Sequence, residues 1–356
     1  MVATLRERHV ERLIDSCYAD LDTPALTTEV LRRLPGILPV EAVFFASVDP
    51  ATLLFTSAVA QDPLAGATPL FLDNEYGRAD VNKFAALARS PEPVMSLDRA
   101  TRGERSASAR YREIMAGLGL GDELRAALIV GHECWGVLCL HRADAEAGFS
   151  SSDLDVLRRL APHLAEGLRR AVVHQALTDD GAGTAGGPGV IVLDQGLSLV
   201  SISPDAERWL ARLEGPEIQG LPMPVYSVAA QLARAPDASH EAAHRPGSVR
   251  LRTADGQWLT LHATWLRGRS EDQIGVVIEP APAAELGSLL LAAHGLTPAQ
   301  SRVTALVLQG CSTREIVARL HVSGYTVQEH LTAVFARFGV SSRRELIAAV
   351  LAPKGR

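Results

Sequence analysis

Two histidines and two cysteines lie within ten residues of this 356-residue chain, and side chains of these types can bind a metal ion. They are His132, Cys134, Cys139 and His141. Imidazole nitrogen and thiolate sulfur are the ligands of structural zinc sites, and four of them complete a tetrahedron. On an extended strand, however, Cys134 and Cys139 point to opposite faces, so closing the tetrahedron would strain the backbone. Since free cysteine is often buried, we predict that no metal is bound here.

A third thiol, Cys17, lies near His9 and Ser16 and could act as a nucleophile. Nucleophilic catalysis needs a base beside the thiol and a third group that orients the base, and no such spacing is visible. A cysteine on one face of a helix is the simpler interpretation. The chain also lacks the glycine-rich and lysine-bearing patterns of phosphate-binding loops. We therefore predict no catalytic residue, no cofactor and no enzymatic activity.

Two further sets of side chains have a functional and a structural interpretation. Charged residues in a polar loop could bind an anionic ligand, although solvated charge is the expected role; these are Arg102, Glu104, Arg105 and Arg110. Large aromatic side chains could line a ligand cavity, but aromatics on alternating strands usually belong to the core; these are Trp135, Trp209, Trp258 and Trp265.

The overall composition is that of a soluble globular protein, with 47% hydrophobic and 21% charged residues. No apolar run approaches the roughly 20 residues that a membrane helix needs, and Met1 to Arg12 is too charged for a secretory signal. We expect a cytoplasmic protein that has no membrane partner. The net charge of −6 is unevenly spread: eight basic and three acidic residues give segment 289–356 a charge of +5, which leaves −11 for the rest. This asymmetry favours a basic module attached to an acidic body.

The chain divides at a segment rich in glycine, Thr178 to Gly189, which cannot form a core and is typical of a linker. A weaker break lies at Glu279-Pro-Ala-Pro. The predicted modules are 1–177, 189–280 and 286–356, with a linker at 178–188.

The first module has the pattern of an α+β domain. Helices are predicted at 5–21 and 27–38 and from Ser151 onward, and strands at 42–48, 125–130 and 135–140. The helix after Ser151 carries leucines on one stripe. The middle module is also α+β, with strands at 189–194, 197–202, 248–252, 258–265 and 274–278 and a helix at 204–213.

The last module shows apolar residues at helical spacing in short blocks, which Gly310 and Ser323-Gly324 interrupt. Two short helices across a tight turn can place one of them in the major groove of DNA.

This segment resembles the LuxR-type helix-turn-helix family of bacterial transcription regulators. The matching residues are Leu296-Thr-Pro298, Gly310-Cys-Ser312, Glu315-Ile316, Ala318, Leu320, Val322-Ser323, Thr326-Val327, His330, Phe338-Gly-Val340 and Arg343 to Leu346. The resemblance implies an all-α domain of four helices, a helix-turn-helix motif at about 313–332, and regulation of transcription by binding double-stranded DNA. It also makes RNA polymerase a candidate partner.

By family position, Gln328, Glu329 and Thr332 are the expected base readers. The expected phosphate contacts, which fix the position of the protein along the DNA, are Thr326, Arg337 and either Arg343 or Arg344. His330 either packs or contacts DNA, whereas Val327 and Leu331 are expected in the core. Many family members have Lys where this chain has Gln328, so we expect weaker phosphate attraction here and more base reading.

The first module is similar to a GAF domain on the residues Asp80 to Phe84, Tyr111-Arg-Glu113, Gly121 to Arg125, Cys134-Trp-Gly136 and Ala161 to Arg169. The middle module is similar to a PAS domain in its strand order. Both resemblances imply a module that senses an unidentified small ligand or mediates dimerisation. A homodimer is expected because one helix pair covers few base pairs, and helices 5–21 and 151–173 are its predicted surfaces. The alternative is a sensor or interaction protein whose DNA-binding module has become weak.

Overall fold

The computed structural model describes residues 5–144, 147–177, 186–215, 217–234, 247–268 and 271–351. Two five-stranded antiparallel sheets and a terminal group of helices make up this part of the chain. None of the described helices combines the length and apolar character needed to cross a membrane.

The first sheet has the strand order β2-β1-β5-β4-β3 and lies between two layers of helices. Its strands are β1 (Ala42–Val48), β2 (Phe55–Ala60), β3 (Val94–Ser96), β4 (Leu120–Val130) and β5 (Glu133–Ala143). The helices around it are α1 (Leu5–Tyr18), α2 (Thr23–Arg33), α3 (Thr68–Gly77), α4 (Phe84–Leu87), α5 (Leu97–Thr101) and α6 (Ser151–Leu177).

Helix α2 begins earlier than the predicted residue 27. The Asp22 carboxylate accepts a hydrogen bond from the Ala25 amide at 2.8 Å, and Pro24 occupies the first turn, where its missing N–H costs nothing. A cap and a proline together therefore decide where this helix starts.

Strands β4 and β5 are longer than the predicted segments 125–130 and 135–140. The added residues include Glu123 and His141, which are paired with each other in the sheet and are 0% and 1% exposed. Charged residues usually end a strand, but these have partners inside the protein. The apolar pattern alone could not show this.

The prediction that Cys134 and Cys139 point to opposite faces is wrong. The pairing of β4 with β5 shifts register, so that Leu128 lies opposite Gly136 while Ile129 lies opposite Cys134. This bulge changes the alternation of the strand. Both cysteines consequently pack in one core cluster, whereas Trp135 packs in the cluster on the other side of the sheet.

The apolar stripes of α1 and α6 are buried inside the chain. Val10, Leu13 and Cys17 of α1 share a core cluster with the leucine stripe of α6, from Leu154 to Leu168. These stripes pack against each other and against the sheet. The prediction that helices 5–21 and 151–173 are the dimerisation surfaces is therefore wrong for their apolar faces.

The middle module contains the second sheet, with the strand order β10-β11-β12-β6-β7. Its elements are β6 (Gly189–Leu193), β7 (Leu199–Ile202), α7 (Pro204–Leu210), a two-stranded ribbon of β8 (Glu217–Ile218) and β9 (Leu221–Pro222), α8 (Met223–Arg234), β10 (Ser248–Arg252), β11 (Trp258–Leu266) and β12 (Gln273–Pro280). Of the predicted linker, residues 178–185 lie outside the described residues, and Gly187 accepts a hydrogen bond from the Trp209 indole.

Three of the four tryptophans are buried, as predicted for core residues: Trp135, Trp209 and Trp258. Trp265 is 36% exposed near the end of β11, so the core prediction is wrong for it. The last three residues of β11, Thr264 to Leu266, are exposed, and alternation alone does not show where a sheet is covered.

Helix α9 (Ala283–Ala293) joins the first and middle modules, together called the sensor body below, to the last module. Its Leu289 and Ala293 pack in the core cluster of the first module, whereas Leu291 packs in the core of the terminal helices. Because its side chains enter both cores, α9 connects the two modules directly.

The terminal module consists of α10 (Pro298–Leu308), α11 (Thr313–Leu320), α12 (Gly324–Phe338) and α13 (Arg343–Leu351). Reciprocal capping boxes start two of these helices, Thr297 with Gln300 at α10 and Ser312 with Glu315 at α11. Gly339 ends α12 with a φ of 62°, a left-handed conformation that glycine adopts without a steric cost.

Candidate nucleic-acid interface and sensor cavities

Helix α12 has one buried and one exposed face. Val327 and Leu331 are 0% and 1% exposed in the core of the module, which agrees with the core role predicted for them. Gln328, Glu329 and Thr332 are exposed and occupy neighbouring positions on the opposite face. The three predicted base readers therefore form one continuous surface at the start of the helix.

The start of α12 is held by Ser323. Its hydroxyl accepts a hydrogen bond from the Thr326 amide at 3.0 Å and lies 2.9 Å from the Thr326 hydroxyl. The first amides of a capped helix are directed outward and favour an anion. Thr326 is half-buried. His330 is also half-buried, at the edge of the exposed face.

The arginines predicted to contact phosphate have different surroundings. Arg337 donates to the carbonyl oxygens of His294 and Gly295, beyond the end of α9. Arg343 donates to the carbonyl of Cys311 at 3.1 Å and to the Thr313 hydroxyl at 2.7 Å.

Arg344 is exposed, and within the described ranges it has no recorded partner. Arg337 and Arg343 thus make hydrogen bonds within the chain, which the family resemblance did not predict.

Three exposed residues of α11 and α12 were not singled out by the sequence analysis. Tyr325 is 74% exposed and precedes the exposed face of α12 by one helical turn. Arg314 and Arg319 are exposed on α11, away from its buried Ile316. Helical spacing alone could have identified them as exposed, because all three lie outside the apolar stripe of their own helix.

The contact between the end of α9 and α12 also contains a half-buried histidine. The ring of His294 stacks on Phe338 with 3.9 Å between centroids. Burial, with the Arg169 guanidinium nearby, lowers the pKa of His294 to about 4 from 6.5. Arg169 also donates to the carbonyl of Ala293 at the end of α9. The neutral imidazole and two arginines thus hold the end of this helix.

We expect this contact to weaken in acid. Since the folded-state pKa of His294 lies below 6.5, folding favours the neutral ring, and its contribution to stability is complete above pH 6.5 and is lost as the pH falls towards 4. The His294→Phe variant should therefore lose less stability than the unmodified protein between about pH 7 and about pH 5 in urea unfolding. His141, whose pKa is also lowered, stays in both proteins. Equal losses would contradict the assignment.

A cavity of about 340 Å³ lies where the first module, the middle module and α9 meet. The hydroxyls of Ser47, Thr56 and Ser57 form one wall, with Ser47 bonded to the other two at 2.6 and 2.8 Å. Leu251 of β10 and Leu289 of α9 contribute apolar walls. This volume is at the lower end of the range for small-molecule sites.

Arg250 joins the three elements around this cavity. Its guanidinium binds both carboxylate oxygens of Asp49, at 2.7 and 2.6 Å, and also the Glu285 carbonyl and the Ser288 hydroxyl of α9. Asp49 is 2% exposed and Arg250 8%. A strand of the middle module, a turn of the first and the connecting helix are thereby held together.

A second, smaller cavity of about 40 Å³ lies inside the first module, beside a buried cluster of charges. Arg110, predicted to be a solvated loop residue, is 1% exposed and donates to Glu123 at 2.9 and 2.5 Å and to Asn74 at 3.1 Å. That prediction is wrong for Arg110, because its loop folds back over β4. Burial raises the pKa of Glu123, but Arg110 and Arg125 outweigh this and lower it to about 2.

Comparison with known proteins identifies two of the modules. Residues 294–350 match the family described as bacterial regulatory proteins, luxR family, and residues 22–168 match the GAF domain. The chain therefore combines a GAF domain with a LuxR-type helix-turn-helix domain, as the resemblances implied.

Two proteins described as HTH-type transcriptional regulators, from Mycobacterium bovis and Mycobacterium tuberculosis, are each 48% identical over 52 residues. Each match takes in 15% of this chain and 6% of the relative. The GAF domain of an Acinetobacter phosphoenolpyruvate-protein phosphotransferase is 12% identical, with a TM-score of 0.34 over 48% of this chain and 98% of that one.

Proposed function

We propose that this protein is a sequence-specific DNA-binding transcriptional regulator whose GAF domain and middle module sense a signal or mediate dimerisation. The observation that carries the proposal is the exposed face of α12, on which Gln328, Glu329 and Thr332 lie together above a buried stripe. Gln can bond adenine with two hydrogen bonds, and a carboxylate can accept from the cytosine amino group.

Selection of binding sequences from a random double-stranded library tests this proposal. Enrichment of a defined site by the full chain would support it, and no enrichment at any salt concentration would overturn it. A homodimer on a two-fold site is proposed because one such helix pair covers only a few base pairs. Sedimentation of the complex should then give two chains per enriched site.

The two classes of contact can be separated by mutation. The Gln328→Ala variant should lose about 1–3 kcal/mol of discrimination at one base position with little change in salt dependence. The Arg344→Ala variant should instead weaken binding to all sequences alike and reduce the salt slope by about 1. Titrations of the enriched site and a scrambled site over a salt series measure both quantities. The reverse pattern would show that the two roles are wrongly assigned.

The competing function is a sensor or interaction protein with a weak DNA-binding module. Two observations favour it. The exposed face of α12 carries Gln328 and Glu329 where a basic residue would attract phosphate, and Arg337 and Arg343 are bonded to carbonyls of the chain itself. Each neutralised phosphate contributes about −0.9 to the slope of log affinity against log salt. A slope near zero would therefore select this alternative, and a steep negative slope would reject it.

We further propose that a small signal molecule occupies the cavity beside Arg250, because that cavity touches the GAF domain, the middle module and α9 together. A ligand there can bias the position of α9 only if it binds one arrangement better than another. Mass spectrometry of small molecules released from the purified chain tests this. A compound that is bound by the unmodified protein and not by Ser57→Phe would support it, and equal binding would overturn it.

A further inference from the structure

We propose that the interior of the GAF domain contains a binding site for a divalent first-row transition-metal ion of the zinc or ferrous type, formed by Glu123, Cys139 and His141. One ligand atom from each of these three residues lies within 4.8 Å of the other two. The three side chains supply a carboxylate oxygen, a sulfur and an imidazole nitrogen. The proposal is independent of DNA binding.

The geometry of the three atoms is close to that of a metal site. Cys139 Sγ lies 3.0 Å from Glu123 Oε1 and 3.1 Å from His141 Nε2, and the last two atoms are 3.8 Å apart. A tetrahedral ion with bonds of ~2.3 Å to sulfur and roughly 2.0–2.2 Å to nitrogen and oxygen would place its ligands about 3.4–3.6 Å apart. Shifts of about half an ångström would therefore complete the site.

The site differs from the zinc tetrahedron considered from the sequence. Cys139 and His141 are alternate residues of β5 and reach the same face of the sheet, while Glu123 lies directly opposite His141 on β4. Cys134 lies in the same core cluster but donates to the Gly136 carbonyl at 3.2 Å. The third ligand thus comes from the neighbouring strand, which only the strand pairing reveals.

His141 directs its Nε2 atom towards the other two ligand atoms, 3.1 Å from Cys139 Sγ and 3.8 Å from Glu123 Oε1. Its Nδ1 atom is buried, and among the described residues it has no hydrogen-bond partner. With the proton on Nδ1, the lone pair of Nε2 is available to a metal ion.

Glu123 is oriented for the same role. Its Oε2 atom accepts both hydrogen bonds from Arg110, which leaves Oε1 directed towards Cys139 and His141. Hydrogen-bonded partners of this kind fix the orientation of metal ligands.

The charges of the surrounding cluster also allow a cation. The carboxylates of Glu75, Asp80 and Glu123 are matched in number by the guanidinium groups of Arg110 and Arg125 and the ammonium of Lys83, so this cluster of described residues carries no excess positive charge. The Lys83 ammonium donates to the Arg78 carbonyl. Loss of the thiol proton on binding would add one more negative charge, since a metal-bound cysteine is a thiolate.

The ligand set decides the class of ion. Sulfur and imidazole are poor ligands for magnesium or calcium and good ones for zinc or ferrous iron. Three protein ligands leave a fourth position open. The cavity of about 40 Å³ borders all three residues and is large enough for a water molecule there.

Cobalt binding by the full chain tests the proposal, because thiolate bound to Co²⁺ gives a charge-transfer absorption band. After treatment with a chelator, and with thiols kept reduced by a phosphine, the unmodified protein should develop this band and saturate with a single ion per chain. Added Zn²⁺ should remove it. The Cys139→Ser variant should lose the band, and Glu123→Gln should weaken binding and keep the band.

Cys134→Ser is the matched control, because it removes another buried cysteine of β5 five positions away. It should behave as the unmodified protein does. Absence of the band from the unmodified protein would overturn the proposal, and so would its survival in Cys139→Ser or its loss only in Cys134→Ser. Far-ultraviolet circular dichroism separates loss of the site from loss of the fold.

Discussion

The Arg250→Met variant should lose about 3–5 kcal/mol in its free energy of unfolding, the usual cost of breaking a buried ion pair from one side. Methionine retains much of the aliphatic stem but leaves Asp49, 2% exposed, without its counter-charge. The variant also loses the hydrogen bonds to Glu285 and Ser288 of α9. Urea unfolding measures the loss.

The same variant should release α9 from the sensor body, since Arg250 is bonded to both. Amide hydrogen exchange in α9 should therefore be faster in Arg250→Met, because local opening precedes exchange. Arg208→Met is the matched control: Arg208 is paired with Asp205 on an exposed helix face, and its loss should cost about 1 kcal/mol or less. Similar values for the two variants would mean that the pair with Asp49 contributes nothing beyond a surface contact.

The Arg110→Met variant should lose a comparable amount, about 3–5 kcal/mol, from the stability of the GAF domain. Arg110 is bound to Glu123, Asn74 and the Val81 carbonyl, and its removal leaves the Glu123 carboxylate, 0% exposed, with weaker compensation. The pKa of Glu123 should rise, because the Arg110 guanidinium is the largest influence that lowers it.

Arg102→Met provides the control for this prediction. Arg102 lies in the same polar segment but is exposed, so its replacement should change stability by about 0.5 kcal/mol or less. Urea unfolding of both variants compares the two sites. If Arg102→Met were as damaging as Arg110→Met, the effect would belong to the loop and not to the buried network.

The terminal domain could be predicted closely from the sequence. Gly310, Ser323 and Gly339 interrupt an apolar pattern of period 3.6. In the structure, α10 ends shortly before Gly310, and α12 lies between its caps Ser323 and Gly339. Capping and left-handed turns act within a few residues, so a local pattern is sufficient. The burial of Val327 and Leu331 follows from the same period.

The candidate sites of the sensor body could not be predicted in the same way. Arg110 and Glu123 look solvated in the sequence, and the distances between Glu123, Cys139 and His141 depend on how β4 pairs with β5. A bulge next to Trp135 changed the side on which Cys134 lies. A register shift is set by contacts distant in sequence, and a shift of one residue reverses the faces of a strand.

By itself, then, the sequence determined the LuxR-type module, the GAF domain and the polar residues on the exposed face of α12, because helical period, caps and glycines are local properties. Only the tertiary structure decided that the stripes of α1 and α6 are buried, that Arg337 is bonded to carbonyls at the end of α9, and that Arg250 joins three elements. A long polar side chain has several possible partners of equal chemistry. Which of them it finds depends on the packing that brings distant segments together.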